Sequence, residues 1–254
     1  MPLGTPRVAV VTGGGSGIGA ALARKLSADG WRCVLLGRRE EAIRSVAAGI
    51  DGEYEVCDVA DREAVERVAR VIAERHPTAG LRVNNAGIAG RSNFLDATPE
   101  RIEELIRINY LGGVWVTRAF LPLLEAGRDA QVVNVVSVAG AVALGPYSAS
   151  KHAQLAFSRS LAAELRPRGI HVLTVNPGFV ETEGFPQARL GRLQALVVGP
   201  EYVADRIVGA LRRGRTEIFV PGWYRPASWA QSLSPGALAK LRGRRFGRAG
   251  TSRR

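Results

Sequence analysis

Tyr147 and Lys151 stand four positions apart, about one helical turn, so a helix there carries both on one face. A phenol normally keeps its proton at neutral pH. A neighbouring ammonium favours the phenolate and brings the group into a useful range for acid–base work. Ser137 follows the apolar run VVNVV, which would set its hydroxyl at the carboxyl edge of a buried strand. A hydroxyl and a phenol can together polarise a carbonyl without a metal if a carrier supplies hydride. Taken singly, these residues are ordinary: a surface Tyr–Lys pair and a turn serine.

A carrier site is legible near the start of the chain. The run RVAVVT passes into GGGSGIG and then AALARKLSADG, a strand, a glycine turn and a helix. Gly13 permits the tight turn, Gly17 lets backbone approach a pyrophosphate, and Gly19 lets helix pack close to sheet. With Ser16 and Ile18 these form the expected phosphate-binding turn, whose amides face the anion at a helix start. The second strand ends in LLGRRE, with Arg38 and Arg39 where an acidic residue would bind the ribose hydroxyls of NAD. Guanidinium groups suit a 2′-phosphate. The expectation is therefore NADP(H), with NAD(H) as the alternative; solvated arginines opening a helix are the plain reading.

Stepping outward, short apolar runs alternate with longer helical ones. Strands are predicted at Arg7–Thr12, Arg32–Leu36, Glu53–Cys57, Leu81–Asn84, Gln131–Val136, His171–Val175 and Glu217–Val220. Their near-continuous apolar character is that of parallel strands buried on both faces. Helices are predicted at Gly17–Ala28, Arg62–Glu74, Pro99–Leu124, Ser148–Arg166 and Pro200–Arg212. This alternation implies an α/β, Rossmann-type, doubly wound and mostly seven-stranded parallel sheet with helices on both faces. Ligands on such sheets sit beyond the carboxyl ends of the strands.

Composition narrows the classes. The 254 residues are 46% hydrophobic and 23% charged, ordinary for a globular chain with a core. The formal charge of +12 would suit nucleic acid or an anionic membrane. The arginines are scattered along helices without interleaved aromatics, however, so no nucleic-acid partner is expected. Cys33 and Cys57 lie in apolar runs and read as buried thiols of a reducing compartment. His76, His152 and His171 show no ligand spacing, so no metal is expected. No signal peptide or spanning segment is read, which gives a cytoplasmic expectation.

In this order the motifs resemble the short-chain dehydrogenase/reductase family in its single-domain form. They are TGGGSGIG at Thr12–Gly19, CDV at Cys57–Val59, NNAG at Asn84–Gly87, Asn109 in RINYLG, Ser137 in VVSVAG, YSASK at Tyr147–Lys151 and NPGFVET at Asn176–Thr182. The resemblance covers about residues 8 to 222. It implies that Tyr147 is general acid in reduction and base in oxidation. Lys151 would lower the Tyr pKa and hold the nicotinamide ribose, and Ser137 would bond the substrate oxygen. Asn109 would hold a relay water behind Lys151. Asp58 and Val59 would line the adenine; Asn85, Ala86 and Gly87 would lie under the adenosine ribose. Pro177, Gly178, Val180 and Thr182 would meet the nicotinamide side. A ketone or secondary alcohol of moderate hydrophobicity is the implied substrate, and a homodimer or homotetramer the implied assembly.

Three departures stand out. The connection from Ser137 to Tyr147 is shorter than is usual in the family, which bears on whether the two residues meet. Arg82 occupies an apolar position of the fourth strand, and an unpaired buried guanidinium is costly, so it should reach an acidic partner or solvent. Residues 223–254 form a basic, aromatic-containing extension beyond the 1–222 catalytic domain. The extension could cap the pocket, join an interface, touch an anionic membrane or fray. The substrate pocket is expected from the 88–95 loop, the connection after Ser137, and Glu181–Val198. The competing functions are an NAD-dependent alcohol dehydrogenase, a non-catalytic dinucleotide-binding protein and a membrane-surface adaptor.

Overall fold

The computed structural model describes residues 7–90, 92–143, 145–183, 194, 196–226, 233 and 236. Apolar strands and amphipathic helices alternate throughout. The elements are β1 (Val8–Thr12), α1 (Gly17–Ala28), β2 (Arg32–Gly37), α2 (Glu40–Ala48), β3 (Glu53–Val56), α3 (Arg62–Arg75), β4 (Leu81–Asn84), α4 (Pro99–Ile106), α5 (Gly112–Glu125), β5 (Gln131–Val135), α6 (Gly145–Leu165), β6 (His171–Pro177), α7 (Pro200–Arg212) and β7 (Glu217–Val220). The strands form one seven-stranded sheet in the order β3-β2-β1-β4-β5-β6-β7. Every pairing is parallel. The chain reverses direction between β1 and β4, which opens a crevice at their carboxyl ends.

Period-two alternation explains how the strands serve two cores. Ala9 and Val11 of β1 face a layer with Leu22 and Leu26 of α1, Ile43 of α2 and Val203 and Ile207 of α7. Val8 and Val10 face the opposite layer with Val65 and Ile72 of α3, Val116 and Phe120 of α5 and Leu161 of α6. Helix starts are set locally. Asp61 accepts from Ala64 N at 3.0 Å and Thr98 from Arg101 N at 3.3 Å, both as N-caps. Cys33 and Cys57 are free and buried.

The segment expected as one helix over Pro99–Leu124 is broken. Residues Arg107–Leu111 form a π turn between α4 and α5, which rotates the side chains that follow relative to a regular helix. The periodicity of apolar residues on either side conceals this insertion.

Arg82 corrects a second expectation. It is fully buried and, among the described residues, reaches no carboxylate. It donates to Asn84 Oδ1 and to Thr117 Oγ1 at 3.0 Å, while its Nε has no partner. Burial lowers its pKa to about 9. The acceptors belong to a polar row across the sheet, where Asn84, Asn134 and Thr174 sit side by side in register. Asn84 Nδ2 donates to Asn134 Oδ1 at 2.6 Å and Asn134 Nδ2 to Ser158 Oγ at 2.9 Å. Ser158 and Thr174 hydroxyls share a 2.7 Å bond. Neutral dipoles thus stand in for a counterion.

Removing one acceptor strands a buried donor, whereas removing the guanidinium removes the demand. Thr117→Val should therefore lower unfolding stability by about 1–3 kcal/mol in the native background. In the Arg82→Met background the same change should cost clearly less, which a double-mutant cycle in urea would measure. Equal costs in both backgrounds would contradict this account.

Candidate active site

The cofactor crevice is built by backbone. Gly13 and Gly17 adopt φ of +66° and +53°, a region that costs a side chain dearly. A Cβ on Gly19 would fall 2.3 Å from Gly13 O, so helix and turn are in direct contact there. Asn85 ties the turn down: its Nδ2 donates to Thr12 O at 3.1 Å and Gly13 O at 3.2 Å. Thr12 Oγ1 in return accepts from Asn85 N at 3.0 Å and Ala86 N at 3.1 Å. The ends of β1 and β4 are stitched across the switch point. Thr12 has this cross-linking part although sequence reading gave it none beyond opening the glycine motif.

Beside this turn lies an open groove lined by Gly13, Ser16, Arg38, Arg39, Asp58, Val59, Ala86 and Gly87 among others. The chain therefore presents what a dinucleotide needs: a left-handed glycine turn, free helix-start amides and two guanidinium groups. Asp58 accepts from Ala60 N at 2.9 Å and lies 3.7 Å from Arg38. Arg39 bonds Ser16 Oγ at 3.2 Å and Glu183 at 2.8 Å. Across the crevice, Thr182 packs over Gly17, its Cγ2 at 2.9 Å from where a Cβ would be.

The proposed reacting groups converge on the adjoining end of the sheet. Ser137 follows β5, and its Oγ accepts from Ala139 N at 3.1 Å. The Ser137 hydroxyl lies near enough to the Tyr147 phenol to lower its pKa, so the short connection does not separate them. A 3₁₀ turn at Val138–Ala141 takes up the connection. Ser148 Oγ then pins it to α6 by donating to Ala139 O at 2.6 Å. Gly90 approaches so closely that a Cβ would lie 3.2 Å from Tyr147 Cβ, placing the 88–90 strand-end loop against the phenol.

Lys151 is buried and points under the same ring, its Nζ 5.9 Å from the ring centroid. Nζ donates to Gln154 Oε1 at 2.8 Å and lies 3.5 Å from Val135 O. Burial lowers its pKa to about 7. Burial raises that of Tyr147, and the Ser137 hydroxyl opposes the rise. Where the sequence suggests a phenol lowered by Lys151, burial instead dominates and raises it. Asn109 rides on the π turn. Its Oδ1 accepts from Ile88 N at 2.8 Å, and its Nδ2 donates to Ile88 O and to Ser150 Oγ, both at 3.0 Å. Its side-chain amide is thus engaged by the 87–88 turn and α6.

A family model for short chain dehydrogenases matches residues 7–192. The chain belongs to the short-chain dehydrogenase/reductase family. As a short-chain dehydrogenase/reductase it is an oxidoreductase acting on CH–OH and C=O groups with a nicotinamide nucleotide. It is 37% identical over 226 residues to a protein assigned by name as ketoacyl reductase of the monensin polyketide synthase of Streptomyces virginiae, covering 85% of this chain and 86% of that one. An actinorhodin polyketide ketoreductase variant solved with NADPH superposes with a TM-score of 0.76 at 28% identity, covering 85% of this chain and 96% of that one. A short-chain dehydrogenase/reductase of Burkholderia phymatum, solved with NAD, shares the fold with a TM-score of 0.81 at 24% identity over 94% and 97% of the two chains.

Parts of the expected pocket fall outside the described residues: 184–193, with Phe185, Arg189, Leu190 and Arg192, and nearly all of the extension beyond Arg225–Pro226. The extension's first residues are described. Tyr224 lies flat on Gly178, where a Cβ would come within 2.0 Å of its ring, and Trp223 stacks on Tyr224 with centroids 3.8 Å apart. Pro177 and Gly178 are thereby fixed by a residue beyond the 1–222 boundary. Among the described residues no helix is long and apolar enough to cross a membrane, and no cluster of metal-ligating side chains occurs.

Folding holds Lys151 where its charge is disfavoured, so the unfolded chain binds more protons between about pH 7 and the ordinary lysine range. Stability from this group accordingly rises with pH across that window. The difference in Tm between Lys151→Met and the native protein should shift against the variant as pH goes from 7 to 10, by roughly 3 °C or more. A pH-independent difference in thermal melts would contradict the buried-ammonium description.

Proposed function

We propose that the protein reduces a ketone to a secondary alcohol with NADPH, Tyr147 acting as the general acid. The carrying observation is the nearness of the Ser137 hydroxyl to the Tyr147 phenol, close enough to oppose the rise of its pKa, with Lys151 Nζ beneath the same ring, beside the glycine turn of the crevice. The chemistry a nicotinamide would supply there, when bound, is hydride for the carbonyl carbon. Ser137 Oγ donates to the carbonyl oxygen and fixes it beside the phenol. Tyr147 then passes its proton to that oxygen as negative charge develops, leaving a phenolate. The Lys151 ammonium stabilises the phenolate by charge and, with Tyr147, would bond the nicotinamide ribose. Gly13, Ser16, Gly17, Ile18 and Gly19 would hold the phosphates, with Asp58, Val59 and Asn85–Gly87 around the adenosine. Pro177, Gly178, Val180 and Thr182 would meet the nicotinamide side.

The NADPH preference rests on Arg38 and Arg39, both of which line the adenosine groove. Their ion pairs with Asp58 and Glu183 are solvent-exposed, and exposed pairs are weak enough for a phosphate dianion to displace. The names of the ketoacyl reductase relative and the NADPH-bound ketoreductase support a ketone on an acyl chain as substrate class. Assembly as a homodimer or homotetramer belongs to the same reading.

NADPH should bind more tightly than NADH in fluorescence titrations. Arg38→Ala should remove most of that difference, and unchanged selectivity would refute the phosphate clamp. Tyr147→Phe should lower kcat on a ketone panel by about 10²–10⁴-fold with dinucleotide affinity nearly intact. Retained turnover in that variant would remove Tyr147 from the chemistry.

A further inference from the structure

Lys151 is a cation with unusual company. It is 4% exposed, and no carboxylate pairs with it among the described residues. An ammonium has three donors and no acceptor. Within reach it finds one side-chain oxygen, Gln154 Oε1 at 2.8 Å, and the Val135 carbonyl at a long 3.5 Å. The elements packed round it bring few other charges. From α6 the titratable neighbour is Tyr147; β5 offers only its carbonyl, and the π turn offers the neutral Asn109. The other fully buried cation, Arg82 on β4, spends its donors on Asn84 and Thr117.

Gln154 is itself 2% exposed, three residues after Lys151 on the sheet-facing side of α6. Beyond it lies a narrow cleft lined by Thr12, Asn84, Ala86, Gly112 and Gly113 that has no room for a water molecule. A hydrogen bond accepted from an ionised donor favours the ionised form and is about twice as strong as a neutral one.

We propose that Gln154 is a positioning residue for Lys151: its side-chain oxygen keeps the ammonium charged and seated at the end of β5 before the dinucleotide arrives. The inference rests on the reading of Lys151 as the group that holds the ribose and stabilises the phenolate. Without Gln154 the ammonium loses its one short acceptor, and the lysine gives up its proton at lower pH. The native pKa, near 7, already sits where a modest further drop empties the charged form at physiological pH.

The test follows NADPH and NADH affinity, and kcat/KM on the ketone, from pH 4.5 to 10. Dinucleotide affinity reports ionisations of the free enzyme, and kcat/KM on the ketone those of the enzyme–NADPH complex. The native protein should show an alkaline limb as Lys151 deprotonates. Gln154→Leu, of similar volume, should move that limb down by roughly one to two pH units, leaving the acid plateau within about threefold of native. Gln154→Glu should move it up, since a carboxylate favours the ammonium more. A packing role alone would lower the plateau and move neither limb. If Gln154→Glu does not fold, Gln154→Met must repeat the downward shift. Limbs unmoved in Leu and Met variants that keep the native Tm would overturn the proposal, as would a native affinity flat across the range. Failure of the reductase reading shows separately, as absent ketone turnover in native protein whose dinucleotide affinity still follows the limb.

Discussion

A charged amine has to be held in a nearly dry place with no anion beside it, and much of the architecture around α6 can be understood from that demand. The energy that desolvation removes from Lys151 must be recovered from dipoles. Dipoles act only when their positions are fixed, because a mobile amide relaxes away from the charge it should face. Gln154 is fixed by its burial on a 21-residue helix, and Val135 by its strand. Asn109, by bonding both the 87–88 turn and Ser150, locks α6 to the end of β4. The π turn places it there. A regular helix through 107–111 would rotate Asn109 away, so the irregular backbone is part of the site's construction.

The same logic recurs a few residues along the sheet. Arg82 is a second cation in the core without a carboxylate, and its charge is again met by oriented neutral groups. Asn84, Asn134, Ser158 and Thr174 form a chain that begins at a group able only to donate, and this fixes the direction of the amides that follow. Asn84 also lines the closed cleft beneath Gln154. The face of β4, β5 and β6 toward α5 and α6 is thus a polar seam inside a hydrophobic layer. Such seams are worth little net stability but admit one arrangement of strands and helices. Where three side chains must meet to do chemistry, one arrangement is what is needed.

Much of this was legible in the sequence, and the parts that were not share a cause. Strand positions followed from uninterrupted apolar runs, and α1 and α7 match their predicted bounds because a glycine turn and a proline mark their starts. Ser137 and Tyr147 were legible as types and order, but their meeting across a short connection depended on the 3₁₀ turn and on Ser148, which periodicity does not encode. Gln154 in a helix reads as a solvated residue; only the sheet above it makes it a buried acceptor. Arg82 was recognised as anomalous, yet Thr117, one of its acceptors, is thirty-five residues away. Tyr224 against Gly178 was hidden for the same reason: it joins a loop after β6 to the far side of β7. One-dimensional patterns report what a residue prefers on average. They do not report which particular partner overrides the average.

The groove's electrostatics complete the picture and also set its limits. Arg38 and Arg39 look in the sequence like two free positive charges awaiting a phosphate. In the fold each faces a carboxylate, Asp58 at 3.7 Å and Glu183 at 2.8 Å. A 2′-phosphate must therefore exchange places with a carboxylate, and its advantage is the difference between two ion pairs rather than the whole of one. For Arg38 the pair is long and the competitor is a monoanion held partly by the Ala60 amide, so the exchange favours a dianion. For Arg39 the pair is short, and its carboxylate is that of Glu183, next to Thr182 over the glycine turn. On the proposed NADPH reading, selectivity would fall more on Arg38 than on its neighbour. The two adjacent arginines, equivalent by residue type, are made unequal by what stands across from each.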